Sequence, residues 1–176
     1  MEFFDLYDEH RRPLGRIHRR GEPLRPEEFH VIVEVATVNS RGELLLTLRD
    51  ARKHLFPGLW EVTGGAVQAG ESSRQGAMRE LREETGIRAE PDELTLLGSY
   101  RVGSVFADVY LLRRDAEIGS LALQQGETVD ARWVSPEVFR GMFRRGEMSF
   151  PTGMRYRLIE RALWGEDGPS AGGMDF

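Results

Sequence analysis

Cysteine is absent from the 176 residues. That excludes disulfide scaffolds, thiolate-ligated zinc, iron–sulfur clusters and every thiol nucleophile. Lysine is almost absent too: Lys53 is the single one, so a lysine Schiff-base mechanism has only that residue to use. Positive charge is in the minority, with 24 Lys and Arg against 29 Asp and Glu and a net charge of −5. The surplus of basic residues on which non-specific nucleic-acid binding depends is therefore missing. No apolar run approaches the roughly 20 residues that span a bilayer. The opening Met1-Glu2-Phe3-Phe4-Asp5 lacks the basic and apolar regions of a secretory leader, so no membrane association and a cytoplasmic location are expected.

What is present is ordinary for a globular chain, with 40% hydrophobic and 30% charged residues. With a prior of about 150 residues per domain, one domain over 1–165 is expected. A strand pair and linker occupy 1–28, and a flexible tail rich in Gly, Asp and Ser fills 166–176. Phe3 to Tyr7 and Leu14 to His18 read as the strand pair. His30 to Val38 is β-branched-rich and, with the turn Asn39 to Gly42 and a second strand from Glu43 to Leu48, reads as a hairpin. A polar loop over Asp50 to Leu59 leads to a short strand, Trp60 to Thr63, and a glycine pair, Gly64-Gly65. Further strands are expected at Leu94–Val102, Val105–Leu112 and Val129–Val134. Helices are expected from Pro136 to about Arg144 and over roughly Thr152 to Leu163. Mixed strands and helices with antiparallel hairpins imply an α+β mixed sheet covered by helices on both faces.

The clearest helix is Ser72 to Thr85, with capping-box spacing between Ser72 and Gln75 and a terminating Gly86. At about 100° per residue, Ala77, Leu81, Thr85 and Met78 form the core face. Glu83, Glu80 and Glu84 share an adjoining stripe whose other members, Gly76 and Ser73, are small. Glu80 and Glu84 are a repulsive i,i+4 pair, and Glu83 and Glu84 lie at the negative end of the helix dipole. Concentrating that cost in one place invites a divalent cation, and hard Mg2+ prefers carboxylate, water and phosphate oxygens.

From Gly65 the chain runs five residues to Glu71, seven more to Arg79-Glu80-Leu81, then Glu83-Glu84 and Gly86-Ile87. This segment resembles the Nudix box at every fixed position, and the flanking strands extend the resemblance over about Phe29 to Val134. It implies a Nudix-type α/β/α sandwich carrying an N-terminal hairpin. It also implies a hydrolase that cleaves a diphosphate linkage in a nucleoside diphosphate derivative or a nucleoside triphosphate with Mg2+, or Mn2+ in its place. By the same resemblance, Glu80, Glu84 and the Gly65 carbonyl are the principal metal ligands. Glu83 is a ligand or the partner that orients Arg79, and Glu71 is an outer ligand or a helix-positioning acid. Glu127 is the downstream carboxylate, with Asp130 as its rival, and Glu80 or Glu127 is the general base. A homodimer is compatible with the resemblance.

The order Phe29-His30, hairpin, Phe56-Pro57-Gly58-Leu59-Trp60-Glu61, Gly64-Gly65 is also similar to the branch that holds isopentenyl-diphosphate isomerase. That enzyme protonates its alkene with a cysteine, which this chain does not have. An isomerase-like protein and a non-catalytic nucleotide sensor are the alternative readings. For the substrate, Arg49 and Arg101 are candidate phosphate or ribose contacts, and Phe56 and Trp60 are candidate walls for a base.

Overall fold

The structure, a computed structural model, describes residues 2–154 and 156–164. Strands β1 (Phe3–Tyr7) and β2 (Pro13–Arg19) pair antiparallel as a separate two-stranded sheet. The main sheet is mixed and seven-stranded. Its centre is β3 (His30–Val38), which runs parallel to β8 (Val105–Arg113) in unbroken register from His30↔Val105 to Val38↔Arg113. A long run of β-branched residues suits a strand buried on both faces. Accordingly Val31, Val33 and Val35 enter one core cluster, and Ala36 and Val38 enter the other. β7 (Thr95–Val102) closes the outer edge antiparallel to β8.

The opposite edge of β3 departs from the expected hairpin. β4 (Leu44–Arg49) meets β3 only at Val38↔Leu44 and then leaves to pair with β5 (Trp60–Glu61) and β9 (Thr128–Val134). β6 (Thr63–Ala66) takes the vacated edge, from Ile32↔Ala66 to Val35↔Thr63. Gly64 and Gly65, expected after the short strand, are thus themselves strand residues. A Cβ on Gly64 would stand 2.3 Å from the Val33 carbonyl oxygen, so only glycine fits this close approach.

Helix α1 (Ser73–Thr85) covers one face of the sheet. Its Ala77 and Leu81 pack with valines of β3, and also with Leu45 and Ala131 of the diverging strands. α2 (Pro136–Arg144) and α4 (Tyr156–Trp164) cover the other face through Phe139, Met142 and Ile159. The single helix expected over 152–163 is two, since α3 (Phe150–Met154) precedes α4. The expected tail at 166–176 lies outside the described residues.

Candidate active site

The helix that carries the acids is fixed at both ends. At the start, Gln75 N–H donates to Ser72 Oγ (3.3 Å) and Ser72 N–H donates to Gln75 Oε1 (2.8 Å), satisfying two orphan donors reciprocally. At the finish, Gly86 adopts φ 76° and its N–H bonds Arg82 O. Ala77, Leu81 and Thr85 are fully buried, which holds the adjoining carboxylate stripe at a packed edge.

Arg79 organises two of those carboxylates, Glu80 and Glu83, together with Glu71. Its guanidinium donates to Glu71 Oε1 (2.8 Å) and Oε2 (3.0 Å), Glu80 Oε1 (2.8 Å), Glu83 Oε2 (3.2 Å) and the Ala66 carbonyl (2.8 Å). Burial opposes the positive charge, but the hydrogen bonds that Arg79 donates to Glu71 and Glu80 outweigh it and hold it firmly protonated. Glu71 also accepts from Gln68 N–H. Burial pushes its carboxyl up, and the bonds from Arg79 and Gln68 bring it below the usual range. Glu80 ends on the high side, because burial prevails over Arg79. Its carboxylate lies against Gly65, where a Cβ would come within 2.3 Å of Oε1.

Glu84 is different. It is only 4% exposed, and its hydrogen bond is from Gly64 N–H at 3.3 Å. Burial, then the charges of Glu61 and Glu80, push its carboxyl well above the ordinary value. Glu61 is likewise raised to about 7, by burial first and by Glu34 in addition, although Arg49 Nη1 donates to it at 2.5 Å. Glu34, buried on β3 opposite Gly64, completes this acidic group. Neither Glu34 nor Glu61 carries a signal of spacing in the sequence, since Glu61 is brought to Glu84, and Glu34 to Glu61, by the tertiary fold.

The remaining predicted residues are distributed around this centre. Glu127 is joined to Lys53 at 2.7 Å, its carbonyl accepts from Asp50 N–H, and its charge reaches Glu84. Arg49 is turned inward, bonded to Glu61 and to the Leu55 carbonyl (3.0 Å). Phe56, on the same loop, holds a positive φ of 53°, a sparsely populated conformation for its type. Trp60 has one ring face covered by the Arg132 guanidinium at 3.9 Å. Arg101 stands apart on the β7–β8 hairpin, near Glu9 and over the Phe29 ring. A residue not expected from sequence, Arg20, lies at the other side of the site. It is paired with Glu2 at 2.5 Å, with Glu127 and Glu80 in its field.

Among the described residues, no three acidic or histidine side chains already stand in a ligating arrangement. Arg79 holds Glu71, Glu80 and Glu83, while Glu84 and Glu61 face one another's charge. The donor set nonetheless fits Mg2+. It is made of hard oxygens, it has no sulfur, and its most buried member, Glu84, has no arginine to balance its charge once it is ionised.

Comparison with known proteins agrees with this geometry. The NUDIX domain family model matches residues 28–150. The chain is 35% identical over 148 residues to an uncharacterized Nudix hydrolase of Listeria monocytogenes, covering 84% of this chain and 88% of that protein. It is 32% identical over 151 residues to a Nudix hydrolase of Deinococcus radiodurans, covering 83% and 86%. The crystal structure of DR0079 from Deinococcus radiodurans superposes with a TM-score of 0.74 at 28% identity, covering 93% of this chain and 99% of that one. The NUDIX domain of Shewanella oneidensis NrtR, solved with ADP ribose, shares the fold at a TM-score of 0.62 and 20% identity, covering 85% and 93%. Box, fold and relatives converge: the chain belongs to the Nudix family and is a hydrolase of diphosphate linkages.

Proposed function

We propose that the protein hydrolyses a nucleoside diphosphate derivative or a nucleoside triphosphate in a Mg2+-dependent reaction, by attack of water on phosphorus. The observation that carries this reading is the buried Glu84 carboxylate, crowded by Glu61 and Glu80 and lacking an arginine of its own. Glu80, Glu84 and the Gly65 carbonyl would hold the ion, with Glu83 as a further ligand or as the partner that orients Arg79. When bound, Mg2+ supplies neutralisation of the diphosphate oxygens and acidification of a water ligand. Glu71 stays on Arg79, so the arginine remains tied to the Ala66 carbonyl and keeps α1 registered against β6.

The proton of the attacking water goes to Glu80 Oε. Its raised carboxyl suits a base working near neutral pH better than an ordinary glutamate. Glu127, the alternative base, spends its charge on Lys53. Support for the substrate class comes from NrtR, whose NUDIX domain holds a nucleoside diphosphate derivative on the same fold. The test is a panel of nucleoside diphosphate derivatives and triphosphates, assayed for released phosphate or mononucleotide with Mg2+ or Mn2+. Turnover is expected for at least one of them in the wild type and is lost in Glu80→Gln/Glu84→Gln. Full turnover in that double variant overturns the assignment.

A further inference from the structure

We propose that Arg20, on the N-terminal hairpin, binds a phosphate oxygen of the diphosphate substrate and thereby sets which substrates are accepted. The inference rests on the diphosphate-hydrolase reading above and adds a residue from outside the region that matches the family model, which begins at residue 28. The hairpin is built onto the site at two places. Ala69 N–H donates to the Phe3 carbonyl (2.9 Å) and Gly70 N–H donates to Asp5 Oδ2 (2.8 Å), both from the loop that enters α1. At its turn, Arg11 grips the buried Asp108 through two bonds, of 2.7 and 2.5 Å. Arg20 closes the hairpin through its own N–H to the Glu2 carbonyl (3.0 Å), so its position is set by the fold.

A diphosphate that approaches a group of carboxylates needs cations along its outer side. Among the described residues, the other cations of this centre are engaged. Arg79 holds Glu71, Glu80, Glu83 and the Ala66 carbonyl, Arg49 holds Glu61 and the Leu55 carbonyl, Arg52 holds Asp50, and Lys53 holds Glu127. Arg20 instead pairs with Glu2 at the surface, where the two side chains are 56% and 45% exposed. An exposed pair of this kind is weak. A guanidinium offers five donors in a fork that matches phosphate oxygens. Glu2 is therefore a resident partner that a phosphate can replace, and the hairpin's bonds to Ala69 and Gly70 seat the pair beside the loop that leads to Glu71.

The experiment compares wild type, Arg20→Ala, Arg20→Lys and Glu2→Gln. It measures kcat and KM on the best-hydrolysed substrate, and binding of the non-hydrolysable methylenediphosphonate in Mg2+ by calorimetry. Arg20→Ala is expected to raise KM and the methylenediphosphonate Kd about tenfold with little change in kcat, as for loss of binding shared by ground and transition states. Arg20→Lys should fall between it and wild type. Glu2→Gln should move both constants the opposite way, because it frees the guanidinium. If both Arg20→Ala and Glu2→Gln lower Tm while neither moves KM or Kd, or both move them in one direction, the pair is a clasp for the hairpin and the proposal is overturned. A wild type that hydrolyses no diphosphate defeats the functional reading instead, and methylenediphosphonate binding still decides Arg20.

Discussion

Two buried carboxylates on the same side of the sheet live under opposite regimes. Asp108 is 2% exposed and Glu84 4%. Burial alone would raise Asp108, but hydrogen bonds from Arg11, Ser73 and Ser99 outweigh it and hold the carboxyl below its ordinary value. Glu84 has one long bond from a backbone N–H, two acidic neighbours and a strongly raised carboxyl. A buried charge is tolerable when paired and hydrogen-bonded, and costly otherwise. Asp108 is therefore an acid complete within the fold, serving to dock the N-terminal hairpin. Glu84 is an acid left incomplete, and that incompleteness is what a cation-binding site requires.

The sharpest break of this comparison is to neutralise each acid in turn. Glu84→Gln should cut kcat by a hundredfold or more, about the scale of losing a principal catalytic group, while the fold is kept or slightly strengthened as repulsion is relieved. Steady-state release of phosphate or mononucleotide, with circular dichroism as the fold check, decides it. Asp108→Ala should do the reverse. Breaking a largely buried pair costs about 3 kcal/mol, read as a lower urea midpoint, and kcat should change far less than in Glu84→Gln.

The pH dependence sharpens the contrast because the signs oppose. Glu61, raised from 4.5 to about 7, and Glu84 with it, favour the folded state when protonated. Their contribution is complete below the unfolded value and is lost as pH rises through the folded one. Asp108, lowered, contributes above its unfolded value of 3.8 and is lost as pH falls through its folded value. Without metal, Tm should thus decline between pH 4.5 and pH 7 through the acidic group. Millimolar Mg2+ should lift the neutral end of that profile, by about 2.7 kcal/mol at a hundredfold excess over Kd. The lift should be absent from Glu80→Gln/Glu84→Gln, and an equal lift in that variant would put the cation elsewhere.

The smallest effect concerns the glycine beside Glu80. A Cβ at Gly65 would collide with a carboxylate at the end of a flexible side chain, 2.3 Å away. Gly65→Ala should shift Glu80 without unfolding the chain and lower kcat/KM about tenfold, or 1.4 kcal/mol, with Tm nearly unchanged.

Local chemistry made much of this legible. α1 falls within a residue of its expected start because Ser72, Gln75 and Gly86 are caps whose partners lie within four residues. β3 and the helix at 136–144 match their expected bounds for the same reason, a strong local pattern. The pairing of β3 with β4 does not follow the hairpin that the turn suggests, because β6 competes for the same edge and its glycines permit a closer approach. Glu61 and Glu34 stayed hidden because nothing in their neighbours along the chain marks an acid that will join a buried acidic group. Arg20 stayed hidden because the hairpin that carries it meets the loop before α1 only through tertiary contacts of Phe3 and Asp5.

By itself, the order of residues determined the acidic helix, its caps, the spacing of its carboxylates and the lack of any thiol, since each depends on contacts a few residues apart or on composition. Only the tertiary structure decided which acids are paired with a cation and which are left buried without one. The Arg11–Asp108 pair, the Arg79 group and the crowding of Glu84 by Glu61 differ in which segments the sheet brings together. The field on a carboxylate is a sum over neighbours in space, and those neighbours come from strands and loops far apart in the chain.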